Sequence, residues 1–203
     1  MELGGNTVLE KLDFQLHAGE VIGITGPNGS GKTTLVRVMA TLVRIDSGTG
    51  EILDVDISSD DVYRIRRSIG LIGHKPTVLH HLSLEENLEH AARLAGLDIL
   101  RVPRALHTVG LEQVAYRSAH ASSFGMLRRL EVARLLLTEP RLLLLDEAVS
   151  GLDNEARDLI DALIERTIDG GGGVVVVSHD VNQLEDLCQE VLRLSAGQLE
   201  AAL

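Results

Sequence analysis

The 203-residue sequence contains no tryptophan, two tyrosines, two phenylalanines and one cysteine, and its 19 Lys and Arg are outnumbered by 30 Asp and Glu for a formal charge of −11. A nucleic-acid surface needs a basic footprint for the phosphates and usually aromatic platforms for the bases. Both are scarce here, so no nucleic-acid partner is expected. The single cysteine, Cys188, excludes an internal disulfide and a thiolate metal cage, which points to a reducing, cytoplasmic setting. Long apolar runs are missing too. The longest, residues 142–145 and 174–177, fall far short of the ~20 residues that cross a bilayer. The acidic N-terminal stretch lacks the charge pattern of a signal peptide. The chain is expected to have no membrane span, and to reach the inner face of the cell membrane only through a partner.

What is present is a set of short apolar runs that end in polar residues. Residues 21–25, 142–145 and 174–177 read as strands of a mainly parallel sheet, because strands covered by helices on both faces are apolar throughout. The length suits one α/β domain. Leu12, Phe14 and Leu16 alternate with polar residues and read as a core strand. From Lys32 onward Leu35, Val38, Met39 and Leu42 recur at helical spacing. Residues 80–139 change character to Leu, Ala, Arg and Glu at helical spacing, and are expected to form a helical subdomain inserted into a core made of 1–79 and 140–203. Gly96 and Pro103 divide the insertion, and Pro140 marks the return to the sheet. Residues 170–173, all glycine, read as a flexible turn into the last of the three strands.

Gly26-Pro27-Asn28-Gly29-Ser30-Gly31-Lys32-Thr33 fits G-x-x-x-x-G-K-[ST] at every fixed position, and it lies between an expected strand and an expected helix. The glycines allow backbone N–H groups to turn inward around phosphates, which then sit at the positive end of the helix. Lys32 is expected to reach the β- and γ-phosphates, Thr33 to offer a hydroxyl to Mg²⁺, and Thr34 to complete the nucleotide-binding stretch. The fold implied is a phosphate-loop NTPase (RecA-like) core, with ATP and Mg²⁺ as ligands.

The run 142–145 is followed by Asp146 and Glu147. In phosphate-loop ATPases an aspartate at such a strand end holds Mg²⁺, which makes Asp146 the candidate metal ligand. Glu147 is the candidate for orienting or deprotonating the attacking water. An isolated Asp-Glu would instead favour a plain acidic helix start. The phosphate loop in the same chain favours the catalytic reading. In open parallel sheets ligands collect outside the carboxyl ends of the strands, so the three tips are expected around one site.

With these residues in place, the chain resembles the ABC ATPase family over nearly its whole length. Ser123-Phe124-Gly125-Met126, before a helix, stands where that family has its signature motif; a serine at this place is also an ordinary helix N-cap. Ser150-Gly151-Leu152-Asp153 is similar to the family's D-loop, and His179 after residues 174–177 to its switch histidine. The resemblance implies that Glu147 and His179 are catalytic, and that Ser123, Gly125 and Asp153 act across a dimer of ATPase subunits. It also implies an integral membrane permease subunit as partner. His74 stands where the family has a glutamine near the metal, and is a further candidate there. Phe124 and Ala148 depart from the usual glycine and proline. Ser178-His179-Asp180 is no serine-protease triad, because neighbours on one turn cannot form the relay.

The aromatic residue that stacks adenine in the family has no counterpart before Phe14. Adenine is expected to pack on an apolar residue such as Leu3, or on residues upstream of the sequence. Gly73-His74 resembles the ATP-binding subunit of the haem exporter of cytochrome c maturation, so an ATPase subunit powering haem-exporter-like export is the specific expectation, with a drug or lipid exporter subunit as the alternative. A non-transport ABC protein and a regulatory nucleotide binder are the remaining alternatives. The first usually carries two such domains or long basic or coiled-coil insertions, and the second is opposed by Glu147 and His179.

Overall fold

A computed structural model describes residues 2–3, 6–7, 9–10, 12–149 and 154–202; of residues 2, 3, 6 and 7 it gives the backbone. In chain order the elements are β1 (Glu2–Leu3), β2 (Asn6–Thr7), β3 (Val21–Thr25), α1 (Lys32–Met39), β4 (Glu51–Ile52), β5 (Val55–Asp56), α2 (Val62–Ile65) and β6 (Ile69–Ile72). They continue with α3 (Leu84–Ala95), α4 (Val102–Thr108), α5 (Phe124–Thr138), β7 (Leu142–Asp146), α6 (Asn154–Asp169), β8 (Gly173–Val177), α7 (Val181–Leu187), β9 (Glu190–Ser195) and β10 (Gln198–Ala201).

The main sheet has the order β10-β9-β3-β8-β7-β6. From β9 to β6 every pairing is parallel, and β10 joins β9 as an antiparallel edge. The three apolar runs of the sequence are therefore consecutive central strands, and all residues of β3, β7 and β8 are buried. Alternation divides their side chains between two cores. Leu143, Leu145, Val174 and Val176 face the core built with α3, α4, α5 and α6. Leu142, Leu144, Val175 and Val177 face Leu35, Val36 and Met39 of α1. Each such fully buried side chain stabilises the fold by about 1.5–3 kcal/mol, which is why the sheet centre tolerates no polar residue before its tips.

Between β6 and β7 the chain runs through α3, α4 and α5 with short 3₁₀ turns. Ser83 and Glu86 form a capping box that starts α3, and Gly96 in the left-handed region ends it. Pro103 falls in the first turn of α4, so it begins a helix instead of breaking one.

Three expectations are corrected. Helix α1 stops at Met39 and Thr41 takes a positive φ of 58°, so Leu42 leaves the helical face and is 57% exposed. Leu12, Phe14 and Leu16 do pack on the core beside α1, but residues 12–17 pair with no strand. In the glycine run the turn belongs to Gly170 and Gly171, whereas Gly172 and Gly173 are close-packed. A Cβ on Gly172 would lie 2.7 Å from the Arg141 carbonyl oxygen, and one on Gly173 would lie 2.9 Å from Leu16.

Candidate active site at the carboxyl end of the sheet

The loop between β3 and α1 is shaped by two glycines. Gly26 leaves the strand at φ +151°, where a Cβ would stand 2.2 Å from the Leu194 carbonyl oxygen, and Gly31 precedes the helix at φ +105°. Because Gly31 supplies no side-chain cap, the first N–H groups of α1 are left for an anion. Lys32 is buried, and its Nζ donates to the carbonyls of Gly26 at 2.7 Å and Pro27 at 3.1 Å, so the ammonium lies inside the loop. An open cleft of ≈ 260 Å³ is lined by Asn28, Gly29, Gly31, Lys32, Thr33, Thr34, Asp146 and Glu147. The loop and the acidic strand tip thus share one cavity.

The two carboxylates occupy different surroundings. Asp146 is the last residue of β7 and only 7% exposed. Burial raises its pKa above the ordinary aspartate value, opposed by a hydrogen bond from the Thr33 side chain. A hydroxyl beside a carboxylate is a pair of hard oxygens that suits Mg²⁺, a cation that keeps several waters and needs few protein ligands. Among the described residues no group of three or more His, Cys, Asp and Glu could hold a metal ion.

Glu147 takes φ +54°, a left-handed conformation that costs a non-glycine residue about 1–2 kcal/mol. Its N–H donates to the Val177 carbonyl at 3.0 Å, which fixes the turn against the neighbouring tip of β8. The side chain leaves the sheet plane and meets His179: Nδ1 and Oε2 are 2.9 Å apart. An ionised carboxylate only accepts, so Nδ1 carries the proton. Ser178 and Asp180, the histidine's neighbours, serve α7 instead. Ser178 Oγ accepts from the Asp180 N–H at 3.1 Å, and Asp180 Oδ1 from the Gln183 N–H at 3.3 Å. This is a helix cap, with no proton relay.

The other candidates sit apart from the cleft. Ser123 Oγ accepts from the Met126 N–H at 3.3 Å and caps α5, with Phe124 exposed beside it. Gly125 follows in the first turn of α5. Neither these residues nor His74 line the cleft. The His74 side chain is exposed, just past the tip of β6, and its carbonyl accepts from Arg128 Nη2 at 3.0 Å. Asp153, with residues 150–152, and the side chain of Leu3 lie outside the described residues. Ala148 is buried directly behind Glu147. Cys188 is a packing residue: it lies under Gly23, and burial pushes its thiol up to about 12.

Sequence reasoning missed the Glu147–His179 hydrogen bond and the buried pair Arg128–Glu131. The first arises from the strand order β8-β7 and a positive φ, for which no motif stands. The second reads in sequence as two charges one helical turn apart, the usual pattern of a solvated face.

Fold and cleft together define a nucleotide-binding α/β protein of the phosphate-loop type. The family described as ABC transporter matches residues 9–150. The chain is 34% identical over 202 residues to a daunorubicin resistance ATP-binding protein of Streptomyces coeruleorubidus, covering 98% of this chain and 64% of that one. It is 33% identical over 199 residues to Nod factor export ATP-binding protein I of Ralstonia nicotianae, covering 96% of this chain and 62% of that one. It therefore spans less than two thirds of the length of these relatives. A solved dimeric ATP-binding cassette in a post-hydrolysis state, bound to ADP and Pi, superposes with TM-score 0.85 at 26% identity, covering 98% of this chain and 92% of that one. The chain belongs to the ABC transporter family. Among the described residues no helix is long and apolar enough to cross a membrane.

Proposed function

We propose that this chain hydrolyses ATP in a site shared by two copies paired head to tail, and so powers export through a separate membrane subunit. The observation that carries the reading is the 2.9 Å contact of His179 with Glu147 at the rim of the phosphate-loop cleft. Lys32 and the N–H groups of α1 bind the phosphates. Thr33 and Asp146 would hold Mg²⁺, which when bound neutralises phosphate charge. Glu147 accepts the proton of the attacking water, and the Nδ1–H of His179 keeps its carboxylate in place. Ser123, Gly125 and Asp153 of the second copy close the site, since neither Ser123 nor Gly125 reaches the cleft within one chain.

The daunorubicin-resistance and Nod-factor relatives support outward transport of a drug- or lipid-like molecule, with the chain held on the cytoplasmic face by its permease. A haem exporter of cytochrome c maturation is the second reading, favoured by Gly73-His74 alone. The shared site is tested by size-exclusion chromatography of Glu147→Gln. With ATP the variant is expected to elute as a dimer and with ADP as a monomer; a monomer with both nucleotides would contradict the two-copy site.

A further inference from the structure

Arg128 and Glu131 lie one turn apart on α5 and are each 1% exposed. Arg128 Nη1 and Glu131 Oε2 are 2.8 Å apart. Burial opposes charge on both partners, lowering the pKa of Arg128 and raising that of Glu131. Taking two charges out of water costs so much that an apolar pair of similar volume commonly serves stability as well or better. Stability therefore does not explain the ion pair, but its outward hydrogen bonds do. Arg128 donates to the carbonyls of Gly73 at 2.9 Å and His74 at 3.0 Å, and Glu131 accepts from the Thr77 N–H at 2.8 Å. One turn further, Arg134 Nη2 donates to the Leu71 carbonyl at 3.1 Å. Every one of these partners is backbone, from the end of β6 through the segment that follows it.

That segment and α5 lead to different sites. Residues 73–77 leave the sheet from β6, beside β7 and its tip at Asp146 and Glu147. Helix α5 begins at Ser123 and Gly125. Phe124, in the first turn of α5, has its ring centroid 5.4 Å from the Arg128 guanidinium carbon one turn further on. In place of the flexible residue usual there, it anchors the start of the helix to the buried pair.

We propose that Arg128 and Glu131 are positioning residues that make residues 73–77 and the start of α5 a single body. A displacement at the edge of one copy's cleft then moves the Ser123–Gly125 surface offered to the other. The inference rests on the two-copy site proposed above.

The test compares the full-length wild type with the double variant Arg128→Met/Glu131→Leu. The variant leaves the Gly73 and His74 carbonyls and the Thr77 N–H without these side-chain partners, so it is expected to melt a few degrees below wild type, to bind a fluorescent ATP analogue within twofold of wild type, and to release phosphate at saturating ATP at least tenfold more slowly. Wild-type turnover in the double variant would overturn the proposal, and so would a joint loss of melting temperature and nucleotide affinity, which marks a purely structural pair. If the double variant does not fold, hydrogen exchange of Glu147→Gln with and without ATP decides. Protection is expected to change together at residues 73–77 and 124–130; a change confined to 73–77 overturns the coupling. A wild-type chain without turnover would sink the ATPase reading instead, and the exchange experiment, which needs only nucleotide binding, would still decide this one.

Discussion

Replacing Gly125 by alanine sets the stability of α5 against the chemistry proposed at its start. Gly125 lies in the first turn of the helix, and a Cβ there would meet nothing within 4 Å. Alanine in a helix interior is favoured over glycine by ~0.8–1 kcal/mol, and a first-turn position realises part of that. For a domain of this size ~1 kcal/mol corresponds to about 2–4 °C, so Gly125→Ala is expected to melt about 1–4 °C above wild type. In the two-copy site the same methyl group stands where the γ-phosphate of the other copy approaches the backbone. Losing one hydrogen bond to a charged group costs ~1.5–3 kcal/mol. At tenfold per 1.4 kcal/mol, turnover should fall by about 10- to 100-fold. Thermal unfolding followed by circular dichroism and phosphate release at saturating ATP read the two effects separately. A variant that melts higher and turns over at the wild-type rate would refute the approach of a phosphate to Gly125. One that melts lower would refute the open space seen beside it.

Gly26→Ala should be far more damaging than Gly29→Ala. Both residues have positive φ, but only at Gly26 does the added Cβ meet backbone, 2.2 Å from the Leu194 oxygen. Overpacking costs ~1–3 kcal/mol on top of ~1–3 kcal/mol for the conformation, and the melting temperature should drop by roughly 4–24 °C. Equal melting of the two variants would contradict the close approach. Asp146→Asn should raise the melting temperature of the nucleotide-free chain while lowering turnover. The folded pKa of Asp146 lies above the ordinary aspartate value, chiefly through burial. The folded state therefore holds the proton to higher pH than the unfolded chain, and stability is lost as pH rises through that window. Above that window the buried charge costs stability and the neutral amide removes the cost, so a variant that melts below wild type at alkaline pH would contradict this.

The core and the cleft differed in how well the sequence revealed them. Residues 21–25, 142–145 and 174–177 were legible as strands because both faces of each are buried, which leaves an apolar run with an abrupt polar end. The phosphate loop was legible because its chemistry demands glycine where the backbone takes a positive φ, at Gly26 and Gly31, and at Gly26 a Cβ would also collide. Helix α5 was less so. Buried positions run around much of its circumference, including Leu127, Arg128, Leu130, Glu131, Val132 and Ala133, so hydrophobic periodicity does not separate an inner face from an outer one. Arg128 and Glu131 then look like solvent-facing charges until their backbone partners at Gly73, His74 and Thr77 are seen. The end of α1 was misplaced at Leu42 because spacing continues the apolar pattern after the backbone has turned at Thr41. Glu147 could be chosen from sequence as a carboxylate next to Asp146, but its turn toward His179 depends on a positive φ that non-glycine residues rarely take.

The central claim is that Glu147 activates water in a cleft whose phosphate grip is otherwise complete without it. Steady-state phosphate release by wild type and Glu147→Gln at saturating ATP and Mg²⁺, with nucleotide affinity measured on the same samples, tests it most directly. The amide keeps the shape of the side chain but cannot take a proton. Removing a general base costs about 10²–10⁴-fold. The account predicts a loss of turnover in that range with affinity unchanged; turnover equal to wild type would contradict it.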